Sequence, residues 1–181
     1  MGTEVSDLPL AVDMDGTLIL SDMSRISIRK VLFRKPWLIP SVIFKEMTGK
    51  RAGWKRDLGR ILVFNPSELE YHEGFLEWLT GEHSRGRVII LATASDRIVA
   101  EQVAAHVGMF SDVMASDNDY NLRDRKKAEA LVARYGEGGF GYAGNSHHDL
   151  AVWEKAAQVI VVNPDSGVLD RVGNSVDIVF E

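Results

Sequence analysis

The chain has 181 residues, enough for one α/β domain with a full core and a modest insertion, but short for two independent domains. Hydrophobic residues make up 45% and charged residues 26%, a balance that argues against disorder. Cysteine is absent, which excludes disulfides, thiolate nucleophiles and cysteine-held zinc or iron–sulfur sites and fits a reducing, cytoplasmic setting.

The chain opens "MGTEVSDLPLAVDMDG", with no basic leader and an apolar run broken by Asp13, so no signal peptide is expected. The first strand is expected over residues 9–14 and ends on two acids, Asp13 and Asp15. Residues 21–65 carry no good strand pattern and read as a helical insertion of two or three helices lying over the sheet. Its stretch "WLIPSVIF" is far below the roughly 20 residues of a membrane span. Net charge is −5 overall, yet residues 25–60 hold 11 Lys/Arg against two acids, near +9, and leave the remainder near −14. A basic block in an acidic protein faces an anion, an anionic surface or an acidic patch of its own chain.

Residues 67–80 then return to the core as a helix with Ser67 as its expected cap. Near-continuous apolar runs at 87–93, 112–116, 140–144, 158–163 and 177–180 suit strands buried on both faces of a parallel sheet. Between them, helices are expected over 96–107, with Ser95 as cap and Gly108 as stop, over 125–135 ending at Gly136, and over 149–157. This alternation implies a Rossmann-like, doubly wound parallel α/β sheet, with residues 1–20 and 66–181 as one core domain around the insertion.

In such sheets ligands bind at the carboxyl ends of the strands, near the reversal in strand order. Asp13 and Asp15, Thr93 and Ser95, and Asn145 and Asp149 all fall at strand ends, and Lys127 opens the helix before the fourth strand region. That set suits metal-assisted phosphoryl transfer. Asp13 is available as a nucleophile toward phosphorus. Asp15 shares its direction only if the backbone bends at Gly16, and could then protonate a leaving alcohol and activate water. Thr93 can donate to a phosphoryl oxygen, and Lys127 can neutralise developing charge. Lys126 competes with Lys127 for this role, and the spacing to residues 128–131 favours Lys127. Two carboxylates facing a phosphate dianion require a hard cation, and oxygen donors without cysteine suit Mg²⁺.

The segments "DMDGTL", "ILAT", "KKAEAL" and "GNSHHDL" resemble, in order and spacing, the four motifs of the haloacid dehalogenase superfamily of aspartate-nucleophile phosphatases. The resemblance implies a Rossmann-like core with a small C1-type helical cap after the first motif. It also implies that Gly16, Thr17, Ala94 and Ser95 line the substrate and that Asp13, Asp15, Asn145 and Asp149 serve the metal. "LATASDR", "NLRDRKKAEALVARYG", "GYAGNSHHDLAVWEKA" and "VVNP" further resemble the domain of this superfamily found fused ahead of UbiA-type membrane prenyltransferases. Expected partners are therefore a small-molecule phosphate ester, of metabolite, sugar or prenyl type, and a membrane surface or fused membrane prenyltransferase, with no nucleic acid. One departure stands out: the fourth motif usually reads GDSxxDL, with its first acid on magnesium, and here that position is Asn145. The amide removes one negative charge, and Asp149 then coordinates directly or holds metal-bound waters. His147 and His148 are the remaining polar neighbours. The alternatives are a non-catalytic module that binds a phosphorylated ligand or partner, and a phosphotransferase.

Overall fold

Six short runs of aliphatic and β-branched residues build the sheet. In the computed structural model, which describes residues 7–20, 65–117 and 120–181, they are β1 (Leu10–Val12), β2 (Ile89–Asp96), β3 (Asp112–Ser116), β4 (Gly141–Gly144), β5 (Gln158–Val162) and β6 (Ile178–Phe180). All neighbours pair in parallel, in the order β3-β2-β1-β4-β5-β6. The chain starts in the middle, winds outward through β2 and β3, and then crosses back to β4. The reversal between β1 and β4 opens a crevice at their carboxyl ends.

Helices α1 (Glu73–Ser84), α2 (Arg97–Val107), α3 (Arg125–Tyr135), α4 (Leu150–Trp153) and α5 (Val168–Val172) join the strands. Successive strand residues feed opposite faces. Leu10 and Val12 pack with Phe75, Leu79, Val103 and Ile160 on one side, whereas Ala11 packs with Leu131, Tyr142, Trp153 and Val161 on the other. Both faces are thus buried, the condition that makes the strands read as continuous apolar runs. At the end of the sheet away from the crevice, buried Arg87 donates to Glu82 (2.7 Å), to the Leu8 carbonyl (2.8 Å) and to the Gln158 side chain (2.7 Å).

The expected strands and the helix over 125–135 lie where the sequence places them, and α2 closes on Gly108 in the left-handed region. Three expectations are corrected. Ser67 caps no long helix: it lies in a 3-10 turn (Pro66–Glu68) capped by Asn65. The chain then runs extended beside the first loop, with Leu20 donating to the Glu70 carbonyl (2.9 Å) and His72 to the Leu18 carbonyl (3.1 Å). That pairing delays the helix until His72, whose Nδ1 accepts from the Phe75 N–H at 3.2 Å. The second correction is that Asp96, not Ser95, caps α2, accepting from the Ile98 N–H at 2.9 Å. The third is that residues 149–157 form a 3-10 turn (His147–Asp149) followed by the short α4, because the Ala157 N–H is drawn to the Phe140 carbonyl (2.8 Å) as the chain enters β5. The helical insertion expected over residues 21–65 lies outside the described residues except for Asn65. No helix among the described residues is long and apolar enough to cross a membrane.

Candidate active site

The site grows from the end of β1. The Asp13 N–H donates to the Ala143 carbonyl at 2.9 Å, which extends the β1–β4 ladder by one residue and pins Asp13 at the crevice. A tight loop follows: Ile19 donates to the Met14 carbonyl (2.9 Å) and Gly16 to the Ile19 carbonyl (2.7 Å). Gly16 sits at φ +82°, and a Cβ there would lie 2.3 Å from Asn145 Nδ2. Both the turn and the close approach therefore demand glycine. The loop buries Met14 in the core and leaves Asp15 half-buried at the crevice.

Asp15 is held from β2. The β2–β3 register runs Thr93↔Ala115 and then jumps to Asp96↔Ser116, a bulge that carries Ala94 and Ser95. Bulges of this kind re-aim side chains beside active sites. Here Ser95 Oγ donates to Asp15 Oδ2 at 2.5 Å, while its N–H donates to Thr93 Oγ1 at 3.0 Å. Thr93 is buried, and its own hydroxyl proton is not the one used in that bond. Ser95 thus reaches a site acid, where the sequence had suggested a helix cap and a substrate contact.

The first turn of α3 delivers Lys127, fully enclosed, with Nζ 2.7 Å from Asp13 Oδ1, 2.8 Å from the Tyr142 hydroxyl and 3.4 Å from Asp149 Oδ1. Lys126 points elsewhere, over the Tyr120 ring at 5.4 Å. Of the two lysines, Lys127 is the one that reaches Asp13.

Asp149 holds its Oδ1 under the Tyr142 hydroxyl (2.5 Å) and Lys127, and its Oδ2 under the N–H groups of Asn145 (3.2 Å) and Ser146 (3.0 Å) and the Ser146 hydroxyl (3.0 Å). Both oxygens are committed to donors and the residue is buried. The structure therefore makes Asp149 the anchor of the loop after β4, not an open ligand position. Asn145 lies against Gly16, with its Oδ1 3.5 Å from the hydroxyl of Thr17. Thr17, expected to line the substrate, is fully buried and backs Asn145. His147 and His148 are exposed and bond outward, His147 to the Ser166 carbonyl (3.2 Å) and His148 to Asp124 (2.7 Å).

Charge explains the titration behaviour. Burial, with Asp149 and Asp15 nearby, drives the Asp13 carboxyl up from its ordinary 3.8 to about 7 despite the pull of Lys127. Burial alone would lower the Lys127 ammonium, but Asp13 and Asp149 outweigh it and raise the group above its ordinary value. Burial likewise pushes Asp149 up, and Lys127, Tyr142 and the two backbone N–H groups more than reverse that, holding it below the ordinary carboxyl range. Among the described residues, three carboxylates in this cluster face one ammonium.

Among the described residues, the mouth offers the oxygen donors of the Asp13 and Asp15 carboxylates and of the Asn145 amide, and that donor chemistry fits a hard divalent cation. Among the described residues, no three His, Asp or Glu side chains form a metal group by themselves. Two residues were missed in the sequence. Tyr142 read only as strand core, and Asn163, whose Nδ2 donates to the Gly16 carbonyl at 3.2 Å, read only as a strand end.

Comparison with known proteins agrees with this architecture. A protein of unknown function from Bordetella pertussis superposes with a TM-score of 0.67 at 15% identity, over 96% of this chain and 97% of that one. A phosphoserine phosphatase structure described as a phospho-aspartyl intermediate analogue superposes with a TM-score of 0.63 at 17% identity, over 97% and 93%. At these identities the likeness is one of fold. An uncharacterized Sinorhizobium fredii protein, y4nM, is 34% identical over 155 residues, which are 86% of this chain and 30% of that protein. The chain thus spans under a third of the length of that curated relative. The family model for haloacid dehalogenase-like hydrolases matches residues 39–154, a span that holds Thr93, Lys127, Asn145 and Asp149 and begins beyond Asp13 and Asp15. The chain belongs to the haloacid dehalogenase-like hydrolase family.

Proposed function

We propose that this hydrolase is a Mg²⁺-dependent phosphomonoester phosphatase that acts through an aspartyl-phosphate at Asp13. The observation that carries the reading is the buried Lys127 ammonium 2.7 Å from Asp13 Oδ1, at the carboxyl end of β1, with Asp15 held by Ser95 across the same crevice. Lys127 engages Oδ1 and leaves Oδ2 to attack phosphorus. The ester P–O bond breaks as the Asp13 O–P bond forms, and the departing oxygen takes a proton from Asp15. In the second half, Asp15 removes a proton from water, which attacks phosphorus and frees orthophosphate and the Asp13 carboxylate. Thr93 donates to the transferring group, and Lys127 compensates its charge. Asp13, Asp15 and Asn145 are the residues that would hold Mg²⁺, which supplies charge neutralisation for the phosphoryl oxygens and draws Asp13 to its ionised form.

A phosphate ester supplied with Mg²⁺ tests this directly. Asp13→Asn and metal chelation should each abolish phosphate release, and activity surviving either would sink the assignment. Asn145 favours a second reading, a domain that binds a phosphorylated ligand with little turnover. Asn145→Asp separates the two. Because Asp149 is saturated with hydrogen bonds, restoring a carboxylate should lower the Mg²⁺ needed for half-maximal activity by roughly tenfold. An unchanged requirement would show that the amide suffices.

The substrate class proposed is a small phosphorylated metabolite or a prenyl or sugar phosphate. It rests on the resemblance to domains fused to UbiA-type prenyltransferases, on the basic stretch over residues 25–60, and on the short share of y4nM that the chain covers. The same features support residues 21–65 as the cap that selects it and a membrane surface as its surroundings.

A further inference from the structure

We infer that Tyr142 is a positioning residue: its hydroxyl, set between Lys127 and Asp149, keeps the Lys127 ammonium on Asp13. An ammonium has three N–H donors, and among the described residues the three acceptors within reach are Asp13, Tyr142 and Asp149, at 2.7, 2.8 and 3.4 Å. Only two of them are neighbours at full hydrogen-bond strength, and one of those is neutral. The same hydroxyl donates to Asp149 Oδ1 at 2.5 Å, on the oxygen that Lys127 would otherwise occupy. Take the hydroxyl away and two carboxylates compete for one buried cation at short range, where an ion pair is strongest. Asp149 then gains the ammonium that Asp13 loses.

The phenol is built into this place. Tyr142 is fully buried and packs edge-on to Trp153, with ring centroids 6.2 Å apart. A Cβ on Gly144 would stand 2.8 Å from Tyr142 Cε1 and 2.7 Å from Asp149 Cγ, so the backbone makes room for both groups. Burial, then Asp149 and Asp13, push the phenol well above its ordinary value, and it keeps the proton it gives to Asp149. Phenylalanine would fill the same volume. The hydroxyl serves the network.

The effect on rate rests on the proposed phosphatase reaction; the placement of Lys127 does not. Tyr142→Phe should lower kcat at least about tenfold on an aryl phosphate while KM stays within about threefold, the pattern of an interaction felt in the transition state. In a Lys127→Ala background the same change should cost less than about twofold, since the hydroxyl acts through that lysine. Trp153→Phe, which alters packing against Tyr142 and removes the Trp153 Nε1 bond to the Ile160 carbonyl (3.3 Å) but leaves the Tyr142 hydroxyl in place, should lower thermal stability and leave kcat near wild type. A crystal structure of metal-free Tyr142→Phe should show Lys127 Nζ bonded to Asp149 and out of hydrogen-bond reach of Asp13. Unchanged kcat, full multiplicative loss in the Lys127→Ala background, or Nζ still on Asp13 would each overturn the inference. If the wild-type enzyme hydrolyses no phosphate ester, the phosphatase reading falls, and the crystal structure still decides the role of Tyr142.

Discussion

Asp13 carries the tension in this molecule. Its carboxyl is buried beside Asp149 and Asp15, with Lys127 the one described cation bonded to it, and stands near 7. A carboxyl raised on folding binds its proton more tightly in the native state than in the unfolded one. Ionising it therefore costs stability, starting above the ordinary 3.8 and reaching the full penalty above about 7. Metal-free Asp13→Asn should accordingly melt above the wild type at pH 8, by about 2–4 °C for each kcal/mol recovered, and the gap should close as pH falls toward 4. Differential scanning calorimetry across that range checks it; Mg²⁺ should shrink the gap at pH 8. A variant melting below the wild type at every pH would mean that Lys127 already compensates the charge. Ser95 makes a prediction of a different kind. It holds Asp15, the proton donor of the proposed reaction, so Ser95→Ala should lower kcat/KM for an alkyl phosphate by roughly tenfold or more. A nitrophenyl phosphate, whose leaving group needs little protonation, should be nearly unaffected. Equal losses on both substrates would assign Ser95 to packing.

At the scale of elements, the sequence was most legible where hydrophobic period and glycine agree. Strands buried on both faces read as apolar runs, and α2 and α3 stop at Gly108 and Gly136 because no side chain has to compete for those ends. It was least legible where a side chain had two local partners to choose between. Ser95 and Asp96 are both good caps, and only the bulge in β2 sends one to the helix and the other to Asp15. Ser67 looked like a helix start because the pairing of residues 70–72 with residues 18–20 is non-local and leaves no trace in sequence. Arg87 is a third case. An arginine before a strand suggests a solvated residue, yet it joins α1, the segment before β1 and β5. Arg87→Met should cost about 3–5 kcal/mol, as it takes from buried Glu82 its buried partner and, among the described residues, leaves it the exposed Arg85. Burial raises the Glu82 carboxyl, but Arg85 and Arg87 more than offset this and hold it below its ordinary 4.5. That stabilisation is present above 4.5 and lost as pH falls through the lowered value, so the gap between wild type and variant in urea titrations should narrow in acid. A loss independent of pH would show that the hydrogen bonds to Leu8 and Gln158, and not the charge pair, carry the effect.

Across the whole molecule, one topological fact brings the site together. β1 lies between β2 and β4, so the ends of three strands that are distant in sequence meet at the reversal in strand order, and α3 supplies Lys127 from above. Spacing along the chain therefore sufficed to pick out Asp13, Asp15, Thr93, Lys127 and Asn145 as neighbours. It could not reveal Tyr142, because a tyrosine in a buried strand looks the same whether its hydroxyl is used or merely satisfied. Nor could it reveal that Asp149 is closed by donors, since a carboxylate ligand and a carboxylate anchor share one letter. The two ends of the site thus differ in their bonding: Asp13 and Asp15 meet Lys127 and Ser95 across the crevice, whereas Asp149 is closed by the donors of the loop after β4.

The most direct test of Asp13 as the nucleophile is chemical trapping of its phosphoryl ester. Enzyme turning over an aryl phosphate with Mg²⁺ is quenched in acid, reduced with borohydride and digested, and the peptide containing residue 13 is sequenced by mass spectrometry. An aspartyl-phosphate is reduced to homoserine, so homoserine at position 13, dependent on substrate and absent in Asp13→Asn, is the expected result. Phosphate release with an unmodified Asp13, or with homoserine at Asp15 instead, would contradict it.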